Sequence, residues 1–117
     1  MKLTFLQKRY LEDLKYVSKL LEKYKPFVFY GTLLGITREK SLIKNDDDVD
    51  ILVDIKHKKK VITKLSKIRD FKINRKINNR YFVQFINYKN NIKTFIDFYF
   101  YINNKSKKYI IEKHNWL

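Results

Sequence analysis

The chain has no cysteine, which excludes a disulfide framework, a thiolate zinc centre and a cysteine nucleophile. Its two histidines, His57 and His114, are too few for a multi-histidine metal site, so the metal chemistry open to it is that of a hard cation on oxygen ligands. Glycine and proline are scarce, at two and one, while 44% of the 117 residues are hydrophobic and 16% aromatic. That balance excludes the composition of a disordered chain and predicts one domain, residues 1–117, with a single core. No apolar run reaches bilayer length, and the start MKLTFLQKRYLEDLKYV alternates charge with apolar residues. A membrane span is not expected, and the expected compartment is the cytoplasm.

Acids are also in short supply, 12 against 27 Lys and Arg, for a net charge of +15. A cationic surface of that strength neutralises phosphates, and nucleic acid is one partner it admits. Lys, Ile and Asn, however, make up 46 of the 117 residues, and Lys outnumbers Arg 22 to 5. Those are the residues an AT-rich coding sequence overproduces, so general composition is the preferred cause. Attraction to nucleotide or polyanionic ligands follows from either.

Residues 4 to 24, TFLQKRYLEDLKYVSKLLEKY, place Leu6, Tyr10, Leu14, Val17, Leu21 and Tyr24 at helical spacing. Thr4 and Gln7 have the form of a capping box, and Pro26 is a stop signal. FVFY, residues 27 to 30, reads as a buried strand running into Gly31 and Thr32, and TLLGITRE has helical character. DVDILVD is a second strand. The segment from His57 to Arg69 sets Val61, Ile62, Leu65 and Ile68 on one helical face with the lysines outward. FKINRK, NRYFVQFINY and IKTFIDFYFYI are β-rich, with KNN at 89 to 91 as a turn, and predict a meander or hairpin that completes a mixed sheet. YIIEK reads equally as a strand or a helix start. The expected class is α/β (α+β), a mixed sheet flanked by helices.

Five of the twelve acids crowd into NDDDVDILVD: Asp46, Asp47, Asp48, Asp50 and Asp54. An Asp-rich run ahead of a strand is often only a solvated turn. Asp50, however, sits inside the strand pattern, where a loop acid has no reason to intrude. Strand alternation gives Asp48 and Asp50 one face, close enough to share a divalent cation, and without one they repel. A third carboxylate, Asp97, lies in TFIDFYFYI, on the face of Phe95 and Tyr99 in the most hydrophobic strand. A charge there needs a partner: either a lysine, or a cation shared with a neighbouring DVD strand. The turn at Gly31 and Thr32 before a helix suits an anion, since glycine admits close backbone approach, helix N–H groups point outward and Thr32 adds a hydroxyl. Arg38 reads either as a phosphate-binding fork or as a surface arginine.

Taken together, YGTLLGITREKSLIKNDDDVDI resembles the signature of the LicD and fukutin-related family: GTLLG, a following Arg, a short loop, then a DDD-hydrophobic-D-hydrophobic block. Gly31, Thr32, Leu33, Leu34, Gly35, Arg38, Asp46, Asp47, Asp48 and Asp50 fall in register, and Ile96-Asp97-Phe98 is similar to a later element of that family. The loop EKSLIKN departs from it in lacking a Gly and a Pro-Trp pair. The resemblance implies a nucleotidyltransferase fold related to DNA polymerase beta. It also implies transfer of a phospho-substituent from a nucleotide-activated donor, such as CDP-choline or CDP-ribitol, to a hydroxyl on a glycan or similar acceptor. By position, Asp48, Asp50 and Asp97 are the implied ligands of Mg²⁺ or Mn²⁺ and the implied catalytic acids. Gly31, Thr32 and Arg38 are the implied holders of the donor phosphates. Two other readings stand beside it: a minimal nucleotidyltransferase moving NMP from NTP onto a protein or small acceptor, and a basic nucleic-acid-binding module using the aromatic strands. The last leaves the acids unexplained.

Overall fold

The apolar periodicity of the first segment closes into helix α1, Phe5–Leu20, in the computed structural model, which describes residues 5–28 and 48–103. Tyr10, Leu14, Val17, Leu21 and Tyr24 are buried as their spacing requires. Leu6 is not: it is 41% exposed, so the apolar stripe begins at Tyr10 rather than one turn earlier. A 3₁₀ turn, Glu22–Tyr24, follows, and Lys25 enters the left-handed region (φ 54°) with its N–H donating to the Glu22 carbonyl. Pro26 then leads into the strand β1, Phe27–Val28. Phe27 is 54% exposed, so the expected burial fails at the first residue of FVFY, and among the described residues β1 pairs with one neighbour, antiparallel; Phe29 and Tyr30 lie outside the described residues. Thr4, the helix expected after Thr32 and the YIIEK segment lie outside the described residues.

DVDILVD forms β2, Asp48–Asp54, and a 3₁₀ turn (Ile55–His57) joins it to α2, Lys58–Ser66. Asp54 terminates the strand by accepting the Lys56 N–H at 2.9 Å, which makes the last acid of the cluster a turn cap. On α2, Val61 and Leu65 are buried and Ile62 packs at their margin. Lys58 and Lys64 depart from the outward pattern in being half-buried, and Lys58 donates to the carbonyls of Asn79 and Arg80 at 3.0 and 2.8 Å. Burial, and then the nearby Arg80 charge, lower the Lys58 pKa.

Strands β3 (Phe71–Ile73), β4 (Phe82–Asn87) and β5 (Thr94–Tyr101) form the expected antiparallel meander. The KNN turn is made by Asn90 and Asn91 at φ 58° and 61°, a region that asparagine tolerates better than most residues. The five-stranded sheet runs β1-β2-β5-β4-β3, with β2 and β5 parallel at its centre. Alternation sends Val49, Ile51, Val53, Val83, Phe85, Ile96, Phe98 and Phe100 to one face, where they share a core with residues of α1 and α2. The architecture is a mixed sheet with its helices, as expected from sequence. No helix among the described residues is long and apolar enough to cross a membrane.

Beside that core α1 carries charge inward. Asp13 accepts from Asn87 Nδ2 at 2.8 Å and from the Thr94 hydroxyl. Arg9 donates to the carbonyls of Lys89 and Ile92 at 2.9 and 3.4 Å, with its Nε 3.6 Å from the Asp13 carboxylate. The helix is thereby tied to both strands and the turn of the β4–β5 hairpin. Desolvation pushes the Asp13 carboxyl above its ordinary 3.8, against the opposing pull of Thr94, Asn87 and Arg9.

Two outcomes follow from this packing. Phe98 is fully buried, edge-on to Phe85 and stacked along Phe100. Phe98→Ala is expected to cost about 3–5 kcal/mol by urea denaturation, while Phe5→Ala, at a side chain 69% exposed, is expected to stay within about 0.5 kcal/mol. A carboxyl with a raised folded-state pKa binds protons on folding, so its contribution to stability falls as pH rises from the ordinary 3.8 into the raised range. The stability difference between wild type and Asp13→Asn should therefore favour wild type more at pH 4 than at pH 7.

Candidate functional site

Two faces of one sheet divide the labour. The face away from the helices takes the alternate residues of each strand, and the register aligns them in rows. Asp50 on β2 is the register partner of Asp97 on β5, and Asp97 is the register partner of Gln84 on β4. Asn74, one residue beyond β3, continues the row, its backbone N–H donating to the Gln84 carbonyl at 2.8 Å. A polar row thus crosses three strands and ends just beyond a fourth. On one side of it stand Phe95 and Ile86, register partners, and on the other Leu52, Tyr99 and Phe82. The Phe82 and Tyr99 rings pack with centroids 5.0 Å apart.

Neighbouring strands are about 4.8 Å apart, so register-paired residues in a parallel pair present their side chains side by side. Two carboxylates so placed repel, and Asp97 is only 5% exposed, which weakens the screening water would provide. Asp50, nearer the sheet margin, is half-buried. The row answers part of the charge with an amide. Gln84 Nε2 donates to Asp97 Oδ1 at 2.8 Å, and Asn74 Nδ2 donates to Gln84 Oε1 at 2.9 Å.

The structure therefore brings together Asp50 and Asp97, two of the three acids singled out in the sequence. Asp48 begins β2, with Phe95 as its register partner, and its side chain lies outside what is described. Gly31, Thr32, Arg38, Asp46 and Asp47 also lie outside the described residues. Among the described residues no three acidic or histidine side chains form a metal-holding group. The donor set at the pair, carboxylate oxygens with no sulfur or imidazole, fits a hard divalent cation of the Mg²⁺ type.

Sequence reasoning missed Gln84 and Asn74. A signal existed for Gln84: it interrupts the apolar positions Phe82 and Ile86 on one face of NRYFVQFINY, at the same alternation that picks out Asp97. For Asn74 there was none, because its part depends on a cross-strand partner that spacing does not reveal.

Comparison with known families gives one match. The family model described as LicD/FKTN/FKRP, nucleotidyltransferase domain, matches residues 23–117, which takes in β1 to β5 and α2 and leaves α1 outside. Neither curated proteins nor solved structures gave a significant match.

Proposed function

We propose that this chain, which belongs to the LicD/FKTN/FKRP family, is a divalent-metal-dependent transferase. It moves a phospho-substituent from a nucleotide-activated donor of the CDP-choline or CDP-ribitol kind to a hydroxyl acceptor such as a glycan. The observation that carries this reading is the register pairing of Asp50 with Asp97 on the sheet face opposite the core. A folded domain gains no stability from setting two like charges side by side, whereas a site for a cation and a polyphosphate requires it. The fold proposed for it is a minimal nucleotidyltransferase fold.

In this reading Asp48, Asp50 and Asp97 hold Mg²⁺ or Mn²⁺. When bound, the cation supplies positive charge to the phosphate oxygens that carry negative charge in the transition state. Gly31 offers backbone N–H and Thr32 its hydroxyl to the donor phosphates, and Arg38 adds a planar cationic fork. The acceptor oxygen forms the new bond to the phosphorus of the transferred group as the bond from that phosphorus to the oxygen bridging to the nucleotide breaks. The departing nucleoside monophosphate takes the electron pair, and the hydroxyl proton passes to the Asp97 carboxylate. Phe82 and Tyr99 beside the polar row keep one side of the carboxylates dry.

The test is to incubate the protein with Mg²⁺ and a panel of CDP-linked and NTP donors, following nucleotide products by ³¹P NMR. Release of CMP from CDP-linked donors is expected, abolished by EDTA and reduced about 10²–10³-fold in Asp50→Asn and in Asp97→Asn. Turnover of NTPs alone overturns the reading in favour of NMP transfer. Tight, salt-sensitive nucleic-acid binding with no turnover of any donor overturns it in favour of a binding module.

A further inference from the structure

We propose that Gln84 is a positioning residue, its amide fixing the orientation of the Asp97 carboxylate through a relay that begins at a backbone N–H. The inference rests on the reading of Asp50 and Asp97 as a cation-holding pair. It assigns a role to two residues, Gln84 and Asn74, that the sequence motif does not contain.

Direction in the relay is set from one end. The Lys76 backbone N–H, which can only donate, donates to Asn74 Oδ1 at 3.1 Å. That leaves Asn74 to present Nδ2 to the sheet, where it donates to Gln84 Oε1 at 2.9 Å. With its oxygen so occupied, Gln84 presents Nε2 to Asp97 Oδ1 at 2.8 Å. An amide turned over at either residue would set donor against donor or acceptor against acceptor, so the three bonds hold only in one sense. A backbone amide at the start of the β3–β4 connection therefore dictates which atom meets a carboxylate two strands away.

Packing alone does not call for a glutamine at this position. Phe82 and Ile86, which flank it on the same face, are apolar, and a buried amide is unfavourable unless paired. Gln84 is 8% exposed and both ends of its amide are paired. Its N–H fixes one oxygen of Asp97 and so the plane of the carboxylate, which sets the direction from which the group can meet a cation beside Asp50. Carboxylate ligands are commonly held by such outer hydrogen bonds, and loss of one lowers metal affinity about 10–100-fold.

The measurement is Mn²⁺ binding by electron paramagnetic resonance, with thermal unfolding in EDTA recorded for every variant. Wild type should bind Mn²⁺, and Asp97→Asn should lose it. Gln84→Leu, close to Gln in size without the amide, should bind about 10–100-fold more weakly while still unfolding cooperatively. Asn74→Ala should move affinity the same way by a smaller factor, since Gln84 then keeps its donor but loses the partner that aims it. Wild-type affinity in Gln84→Leu, with binding lost in Asp97→Asn, overturns the positioning role and leaves the cation site standing. No Mn²⁺ binding by wild type overturns the cation site and the inference with it. Should Gln84→Leu fail to fold, Asn74→Ala decides, and unchanged affinity there overturns the relay.

Discussion

The parallel pairing of β2 with β5 is the constraint on which the rest depends. Its register runs from Asp48 opposite Phe95 to Asp54 opposite Tyr101, and one alignment does two things. It sends Val49, Ile51, Val53, Ile96, Phe98 and Phe100 into the core beneath the helices, and it sets Asp50 beside Asp97 on the other face. A slip of β5 by one residue would bury Asp97 among apolar side chains and expose Ile96 and Phe98. The hydrophobic effect, acting on side chains that touch no ligand, thus holds the two carboxylates in line.

Much of this was legible in the sequence because period-two alternation is strong in these strands. DVDILVD is β2 from end to end, and the three later β-rich segments are a meander. The pairing of Asp97 with the DVD strand was legible through the chemistry of an acid in an apolar strand, which demands a partner. The exposure of Phe27 was not, since an apolar run does not say which of its side chains a neighbour will cover. Nor were the inward charges of α1. Arg9 and Asp13 fall where a helical pattern reads polar, and their partners at Asn87, Thr94 and the hairpin carbonyls lie more than seventy residues away. Gln84 carried a signal, as the polar residue between Phe82 and Ile86 on its face, but its bond to Asp97 was hidden until the cross-strand neighbours were known.

Buried polar groups serve two different ends in this chain. On the helix side, Asn87 and Thr94 donate to Asp13 and Arg9 donates to hairpin carbonyls, which fixes α1 to the hairpin, although Arg9 Nε makes no hydrogen bond and desolvation still raises the Asp13 pKa. On the other face, the row runs from Asn74 through Gln84 to Asp97, beside Asp50. The family match over residues 23–117 contains that second face and most of the core, while α1 lies wholly before it.

Because β2 and β5 lie on either side of α2, β3 and β4 in the chain, the two carboxylates meet only after everything between them has been made. During synthesis a nascent chain carrying β2 alone has an acidic segment but no partner strand for it, and closing so long a loop is among the slower steps in folding. The pairing of Asp50 with Asp97 therefore arrives late and all at once, when the stretch up to Tyr101 has left the ribosome and zipped into the centre of the sheet.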